Sequence, residues 1–273
     1  MEQEAAGTPM LSAGGASLPG PLYLAGACTS TLDVARELCR RGIFPEWSSV
    51  LALKQSAGRG QMRRSWSSPE GNLYAALRLP MEGPFATTAA SPAIGALCAE
   101  GLSAEGFPVL LKWPNDIFRR TDGGEMLKAG GILLEECRGA LVAGIGLNTS
   151  SCPPPSQIRQ GAAARAGILG GQIVSIFTLW LRLAARIFSC YEMLKEQDAW
   201  WIRLAESRMA YLGCMALLDG ALAESGSSTG GACGIVAGIS RSGALLLKTP
   251  GGTAAYLGGS LLPLRDSNYL WSK

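Results

Sequence analysis

Four short stretches of the sequence bring together residues that could act on an anionic ligand. Ser56 to Trp66, SAGRGQMRRSW, sets Gly58 and Gly60 among Arg59, Arg63 and Arg64. Glycines let backbone N–H groups approach a ligand and guanidinium adds permanent charge, so such a loop suits phosphate or carboxylate oxygens. An ordinary basic surface loop has the same composition. In Leu111 to Phe118, LKWPNDIF, an apolar run ends in Pro114-Asn115-Asp116, which puts the Lys112 ammonium and the Asp116 carboxylate at the mouth of a strand. Capping of the turn by Asn115 and Asp116 is the plainer use. In KAGGILLEE, Lys128 precedes Gly130 and Gly131, so ammonium and backbone could reach one ligand together; a solvated lysine on a hairpin is the alternative. GIGLN ends at Asn148, whose amide could pair with a nucleobase or simply close the strand.

The chain contains no His, which removes the commonest general base, every His-containing triad and the imidazole metal ligand. Acid/base work therefore falls to carboxylates or lysines. The eight Cys are scattered with no C-x-x-C pair, a pattern of reduced thiols and not of a disulfide framework or zinc site, and no metal-ligating set is expected. Lys plus Arg number 24 against 21 acidic residues, a balance of +3 that indicates no nucleic-acid surface. The opening MEQEAAG lacks the cationic flank of a signal peptide. The most apolar stretch, Ile168 to Leu181, is broken by Gln172, Ser175 and Thr178 and is too short to span a bilayer. The expectation is a cytoplasmic protein without membrane contact.

These stretches need a scaffold, and 273 residues, 48% of them hydrophobic, can bury one sizeable core and add a small second domain. Residues 1–20, rich in Gly, Ala, Ser and Pro, read as a loose leader. PLYLAGA reads as a first strand, followed by a helix over LDVARELCRR with Ser30 and Asp33 as its capping pair and Leu32, Ala35, Leu38 and Cys39 on one face. Strands are expected at 49–55, 72–79, 109–113, 130–137 and 141–148, with a helix over 87–105. Three prolines after Cys152 mark a loop, and residues 172–211 carry long helical periodicity. After Leu212 the chain switches to short β runs punctuated by Gly: CMALL, GIVAGI, GALLLKT, TAAYLGG and LLPL. That pattern predicts a small barrel. The expected fold is α+β, a mixed sheet with flanking helices over 21–211 and a β-barrel over 212–273.

Taken in order, the motifs resemble the catalytic domain of biotin protein ligases. That family shows an ST pair opening its first helix, a glutamine before a GRGRRGR-x-W loop, a KWPND turn, a K-x-x-G-I-L strand and a G-x-G-x-N strand end. Here they stand as Ser30-Thr31, Gln55 before GRGQMRRSW, Lys112 to Asp116, Lys128 to Leu133 and Gly144 to Asn148. GISRSGALLLKTPGGTAAYLGGSLLPLR resembles the family's SH3-like domain, and no winged helix fits in the first 20 residues, as in the ligase-only type.

The resemblance implies ATP-dependent activation of biotin to biotinyl-5'-AMP and transfer to one lysine of a biotin carboxyl carrier protein, by a monomer or homodimer. Ser30, Thr31, Gln55, Gly58 and Gly131 would line the biotin pocket, and Arg59 and Lys128 would meet the carboxylate and the α-phosphate. Gly60, Gln61, Trp66, Lys112 and Asn148 would complete the ATP site, with Trp66 and Asn148 facing the adenine. Mg²⁺ is expected with the nucleotide. Asp116 would be the base that takes the proton of the carrier lysine. A lipoate or octanoate enzyme on the same scaffold, and a binder of biotinyl-adenylate without turnover, are the alternatives. The chain departs from the pattern at Gln61-Met62-Arg63, where the family reads R-R-G. It departs again at Leu32, which stands for Asn, and at Ser260, which stands for the acid of G-E-I-S-L-R with one extra residue before Arg265.

Overall fold

The computed structural model describes residues 12–13, 16–154, 165–173, 175–228 and 230–264. Most of the expected leader, Pro155 and Ser156 of the proline loop, the side chain of Arg63, and Arg265 lie outside the described residues.

Alternation of apolar and small residues builds the central sheet. A two-residue hairpin, β1 (Ser12–Ala13) and β2 (Ala16–Ser17), precedes β3 (Leu22–Cys28), α1 (Thr31–Arg40), β4 (Ser49–Gln55) and β5 (Leu73–Leu79). Then come α2 (Ala90–Ala104), β6 (Val109–Lys112), β7 (Asp116–Arg120), β8 (Met126–Cys137), β9 (Ala140–Leu147) and β10 (Arg165–Ala166). The strand order is β3-β4-β5-β9-β8-β7-β6, with β10 beside the start of β8. Only β3 with β4 and β10 with β8 run parallel; α1 makes the crossover that the first of these needs. On β5 and β9, Leu73, Ala75, Leu77, Ala143, Ile145 and Leu147 enter the main core, while Ala76 and Val142 face α1 together with Leu32, Ala35 and Phe44. The main core is closed by α2, buried on nearly every side, and by α3 (Ile176–Leu194) and α4 (Trp200–Ser207). Among the described residues no helix is long and apolar enough to cross a membrane.

The mixed α+β sheet and the small C-terminal barrel are as expected. The barrel closes through β11 (Met215–Ala223), β12 (Gly231–Ile239), β13 (Leu245–Thr249) and β14 (Gly252–Pro263). Its interior, with Leu218, Val236, Leu245, Leu247 and Leu261, joins the main core as one cluster. Polar contacts fix the join: Trp113 Nε1 donates to the Gly243 carbonyl at 2.9 Å and Glu206 accepts from the Ile239 amide at 3.2 Å.

Several elements differ from expectation. The helical stretch over 172–211 forms more than one helix, as expected, but the division into α3 and α4 falls at Ala199, which adopts φ 50°. TAAYLGG and LLPL form one strand, because the Gly258-Gly259 step kinks β14 without ending it. A strand, β7, follows the Pro114 turn and pairs with both β6 and β8. Ser30 does cap α1, accepting from the Leu32 amide at 3.3 Å. The Asp33 carboxylate, however, is drawn away from the cap by Thr29, Arg36 and Arg59.

Gly243 has φ 85°, and a Cβ there would lie 2.6 Å from the Ala89 Cα. Gly243→Ala should therefore cost more than the ~1–2 kcal/mol of a left-handed L-residue. A thermal midpoint lowered by at least about 4 °C is expected; an unchanged midpoint in calorimetry would show that the barrel is not seated on Ala89.

Candidate active site

One row of cross-strand partners defines the site. Reading across the sheet, Lys112 on β6 faces Asp116 on β7, Asp116 faces Gly131 on β8, and Gly131 faces Gly146 on β9. All four point to the α1 side of the sheet, so two charges stand next to two positions without side chains. The bare strip is filled from above by Trp66: a Cβ on Gly146 would lie 2.7 Å from the indole nitrogen, and one on Gly131 would lie 3.3 Å from the ring edge. The register shift between Ile117 and Phe118 sets Lys128 opposite Phe118 on the same face. Its ammonium comes to 2.5 Å from Asp116 and 5.6 Å from the Trp66 ring.

A cavity of about 1380 Å³ opens above this row. Every residue that the resemblance implied for the site lies on its lining: Ser30, Thr31, Gln55, Gly58, Arg59 and Gly60, then Gln61, Trp66, Lys112, Asp116, Lys128, Gly131 and Asn148; Gly130 faces the core instead. Several have partners that the sequence did not announce. Gln55 Oε1 accepts from the Thr31 amide at 2.8 Å and hydroxyl at 3.2 Å, and its Nε2 donates to Ser68 Oγ at 2.9 Å. The Asn148 amide donates to the Gly167 carbonyl at 3.0 Å, which leaves its carbonyl oxygen and one N–H. Gly58 must be glycine, since a Cβ would lie 2.5 Å from Ser68 Oγ and from the Trp66 carbonyl. The Trp66 N–H is buried without a partner.

Gln61 is exposed in a 3₁₀ turn, Gln61–Arg63, whose central Met62 has φ 55° and is 81% exposed. Arg64 shares the cavity lining with it. The barrel supplies a wall: Ser260 on β14, singled out by the motif comparison, and Asp219 on β11 with Gly258 and Gly259 on β14, which it missed; Asp219 stands in register opposite Ser260. Also missed were Asp33 and Glu135, which bind Arg59 from behind the lining. For Glu135 a signal existed, since it shares the face of Gly131 on β8.

Among the described residues the lining carries four cations, Arg59, Arg64, Lys112 and Lys128, against the carboxylates Asp116 and Asp219. The arrangement suits an anion. Lys112 is nearly enclosed, its side chain 6% exposed, with Asp116 at 3.5 Å. Burial pulls its ammonium below the usual lysine range, and Asp116 opposes that only in part. Among the described residues no group of three or more His, Cys, Asp or Glu could hold a metal. The carboxylates on the described lining are Asp116 and Asp219, too few for a cage of protein ligands and compatible with Mg²⁺ carried in on phosphates.

The model of the biotin/lipoate A/B protein ligase family matches residues 26–150. The biotin–[acetyl-CoA-carboxylase] ligase of Paracoccus denitrificans is 33% identical over 215 residues, 74% of this chain and 85% of that protein. The chain belongs to the biotin protein ligase family. The bifunctional ligase/repressor of Bacillus subtilis is 34% identical over 155 residues, 53% of this chain and 46% of that protein. The solved biotin protein ligase of Aquifex aeolicus, in complex with biotin and ATP, superposes with a TM-score of 0.70 at 26% identity, covering 90% of this chain and 99% of that one.

The depressed Lys112 sets the direction of a pH effect. Because its folded value lies below the unfolded one, the unfolded chain holds more protons between the two, and stability from this group rises with pH through that window. Lys112→Met keeps the volume and removes the buried charge while Asp116 retains Lys128. The variant is expected to melt ~2–4 °C above the wild type at neutral pH, a gain of about 1 kcal/mol. The difference should narrow toward about pH 10. A lower midpoint at neutral pH would refute the reading of Lys112 as a desolvated cation.

Proposed function

We propose that the protein joins biotin to ATP as biotinyl-5'-AMP and transfers the biotinyl group to one lysine of a biotin carboxyl carrier protein. The observation that carries this reading is the row Lys112, Asp116, Gly131, Gly146 beneath the glycine-arginine loop, in a cavity of about 1380 Å³. The Aquifex relative bound to biotin and ATP supports the same pair of ligands.

In the first step a biotin carboxylate oxygen attacks the α-phosphorus of ATP and pyrophosphate leaves. Two anions must meet, and cations fixed where charge accumulates lower that barrier. Lys128 and Arg59 serve the carboxylate and α-phosphate, and Lys112, Gly60 and Gln61 the phosphate oxygens. Ser30, Thr31, Gln55, Gly58 and Gly131 receive the biotin head: the Ser30 hydroxyl and the second Gln55 N–H donate to a carbonyl, and Thr31 Oγ1 accepts. Trp66 and Asn148 face the adenine. Mg²⁺, arriving with ATP, neutralises phosphate charge.

In the second step the carrier lysine amine attacks the anhydride carbonyl carbon and AMP leaves, with Asp116 as the acceptor of the lysine proton. Lys112 and Lys128 both sit against Asp116, so Lys128 must shift toward the substrate phosphate to leave Asp116 Oδ1 open to the incoming proton. The unit over 21–211 does this chemistry, the barrel over 212–273 closes it, and the eight free cysteines support a reducing, cytoplasmic setting.

Purified protein should label a biotin carboxyl carrier domain only with both ATP and biotin; labelling with lipoate in place of biotin would overturn the assignment. Lys128→Ala should abolish biotin-dependent pyrophosphate exchange. Asp116→Asn should slow transfer to the carrier lysine far more than pyrophosphate exchange, since Asp116 is the acceptor of the lysine proton and competes with the anion for Lys128; exchange lowered as much as transfer would overturn that role.

Gln61 offers a neutral N–H₂ where the family carries arginine, so the adenylate lacks one charge-assisted hydrogen bond. Such a bond is worth about 1.5–3 kcal/mol, or roughly ten- to a hundredfold in escape of biotinyl-AMP. Gln61→Arg is expected to suppress labelling of bystander lysines. Retention of the adenylate through gel filtration by the unaltered protein would show that another arginine of the loop, Arg63 or Arg64, has taken over the role.

A further inference from the structure

We propose that Asp33 and Glu135 are positioning residues that hold Arg59 as a pre-aimed anion donor, a role that rests on the ligase reading above. Glu135 takes the fork of the guanidinium, accepting from Nε at 2.9 Å and Nη2 at 3.2 Å. Asp33 Oδ1 accepts from Nη1 at 2.8 Å. A guanidinium has five N–H donors, so two remain for a ligand, one on Nη1 and one on Nη2.

The carboxylates are themselves fixed. Arg36 reaches Asp33 Oδ1 at 2.9 Å and Glu135 Oε2 at 2.7 Å, and the Thr29 hydroxyl donates to Asp33 Oδ2 at 2.8 Å. Two arginines and two carboxylates thus form a neutral ring, and Arg59 cannot turn without leaving a carboxylate short of a donor. The ring also ties three elements into one frame. Asp33 lies in the first turn of α1, next to Ser30 and Thr31; Glu135 lies on β8 with Lys128 and Gly131; Arg59 lies in the loop above them.

The electrostatics agree. Burial alone would raise the Asp33 carboxyl, yet hydrogen bonds from Thr29 and Arg59 and the charges of Arg59 and Arg36 hold it below the usual range. Burial would lower the Arg59 value, and Glu135 and Asp33 more than reverse that.

Two effects of these carboxylates on an incoming anion oppose one another, which makes the proposal testable by sign. As charges they repel it; as anchors they fix its donor. Glu135→Gln removes the charge and keeps the shape. If anchoring dominates, the KM for biotin in pyrophosphate exchange should rise about tenfold, the weight of one charge-assisted bond, with kcat within about threefold. Asp33→Asn, on the helix surface, should act in the same direction, and Glu135→Asp should lie between Glu135→Gln and wild type. Trypsin cleavage at Arg59 and Arg64 of the ligand-free protein should quicken severalfold in Glu135→Gln at an unchanged thermal midpoint. A KM that falls or stays level, or cleavage no faster than wild type, overturns the proposal; lost kcat at constant KM with a lowered midpoint marks a merely structural ring and overturns it too. Should the wild type fail to exchange pyrophosphate with biotin, the ligase reading falls, and the cleavage rates alone decide whether the ring holds Arg59.

Discussion

Strand register is the constraint on which this site depends. The antiparallel pairing of β6, β7, β8 and β9 places Lys112, Asp116, Gly131 and Gly146 in one row, and the row continues through Tyr74 on β5 to Ala52 on β4. A slip of one residue in any pair would send that strand's side chains to the opposite face. The core enforces the register, because Ile117, Ile132, Ile145 and Leu147 on the same strands are buried against the main helical layer. Charges and bare glycines on one face are thus placed by apolar residues on the other. The bulge at Ile117/Phe118 is the one local exception, and it carries Lys128 to the charged end of the row.

Sequence motifs made the ligand-facing half of this arrangement legible and left its supporting half obscure. KWPND could be read because the hairpin turn that joins Lys112 to Asp116 is local: four residues bring ammonium and carboxylate face to face. The two glycine stretches could be read because no other residue leaves room for an indole on the sheet. The Arg59 ring could not, since Asp33 and Glu135 are 26 and 76 residues away from it and, although Glu135 ends the KAGGILLEE stretch, nothing local pairs it with Arg59. Asp33 was even assigned a competing local task, the cap of α1, which the stronger pull of Arg59 and Arg36 overrides.

Regular structure shows the same division. Periodicity found the strands with clean alternation, but β7, Asp-Ile-Phe-Arg-Arg, is short and charged at both ends, so only its pairing with β6 and β8 makes it a strand. The break between α3 and α4 contains neither Gly nor Pro; Ala199 takes a left-handed conformation because Trp200, Trp201 and Ala205 must reach the core beneath. In the barrel, glycine was read as punctuation, whereas the Gly258-Gly259 step lets β14 bend around Leu218 and present Ser260 to the cavity. Tertiary contacts settled each of these points, and no local signal could have.

The pairing of charges before any ligand arrives bears on how the site can be both stable and reactive. An ammonium as enclosed as that of Lys112 is costly unless countered, and Asp116 counters it while also holding Lys128. An anion entering beside Lys128 competes with Asp116 for that one ammonium. Because Asp116 keeps Lys112, it is not stranded when Lys128 turns to the substrate, so the exchange leaves no buried charge alone at any stage. Arg59 follows the opposite logic: its carboxylate partners leave one N–H free on each of Nη1 and Nη2 and need never be displaced. One cation is thus shared and movable, the other anchored. That combination suits a reaction in which an anion must first be held in place and then have its charge redistributed as a bond forms.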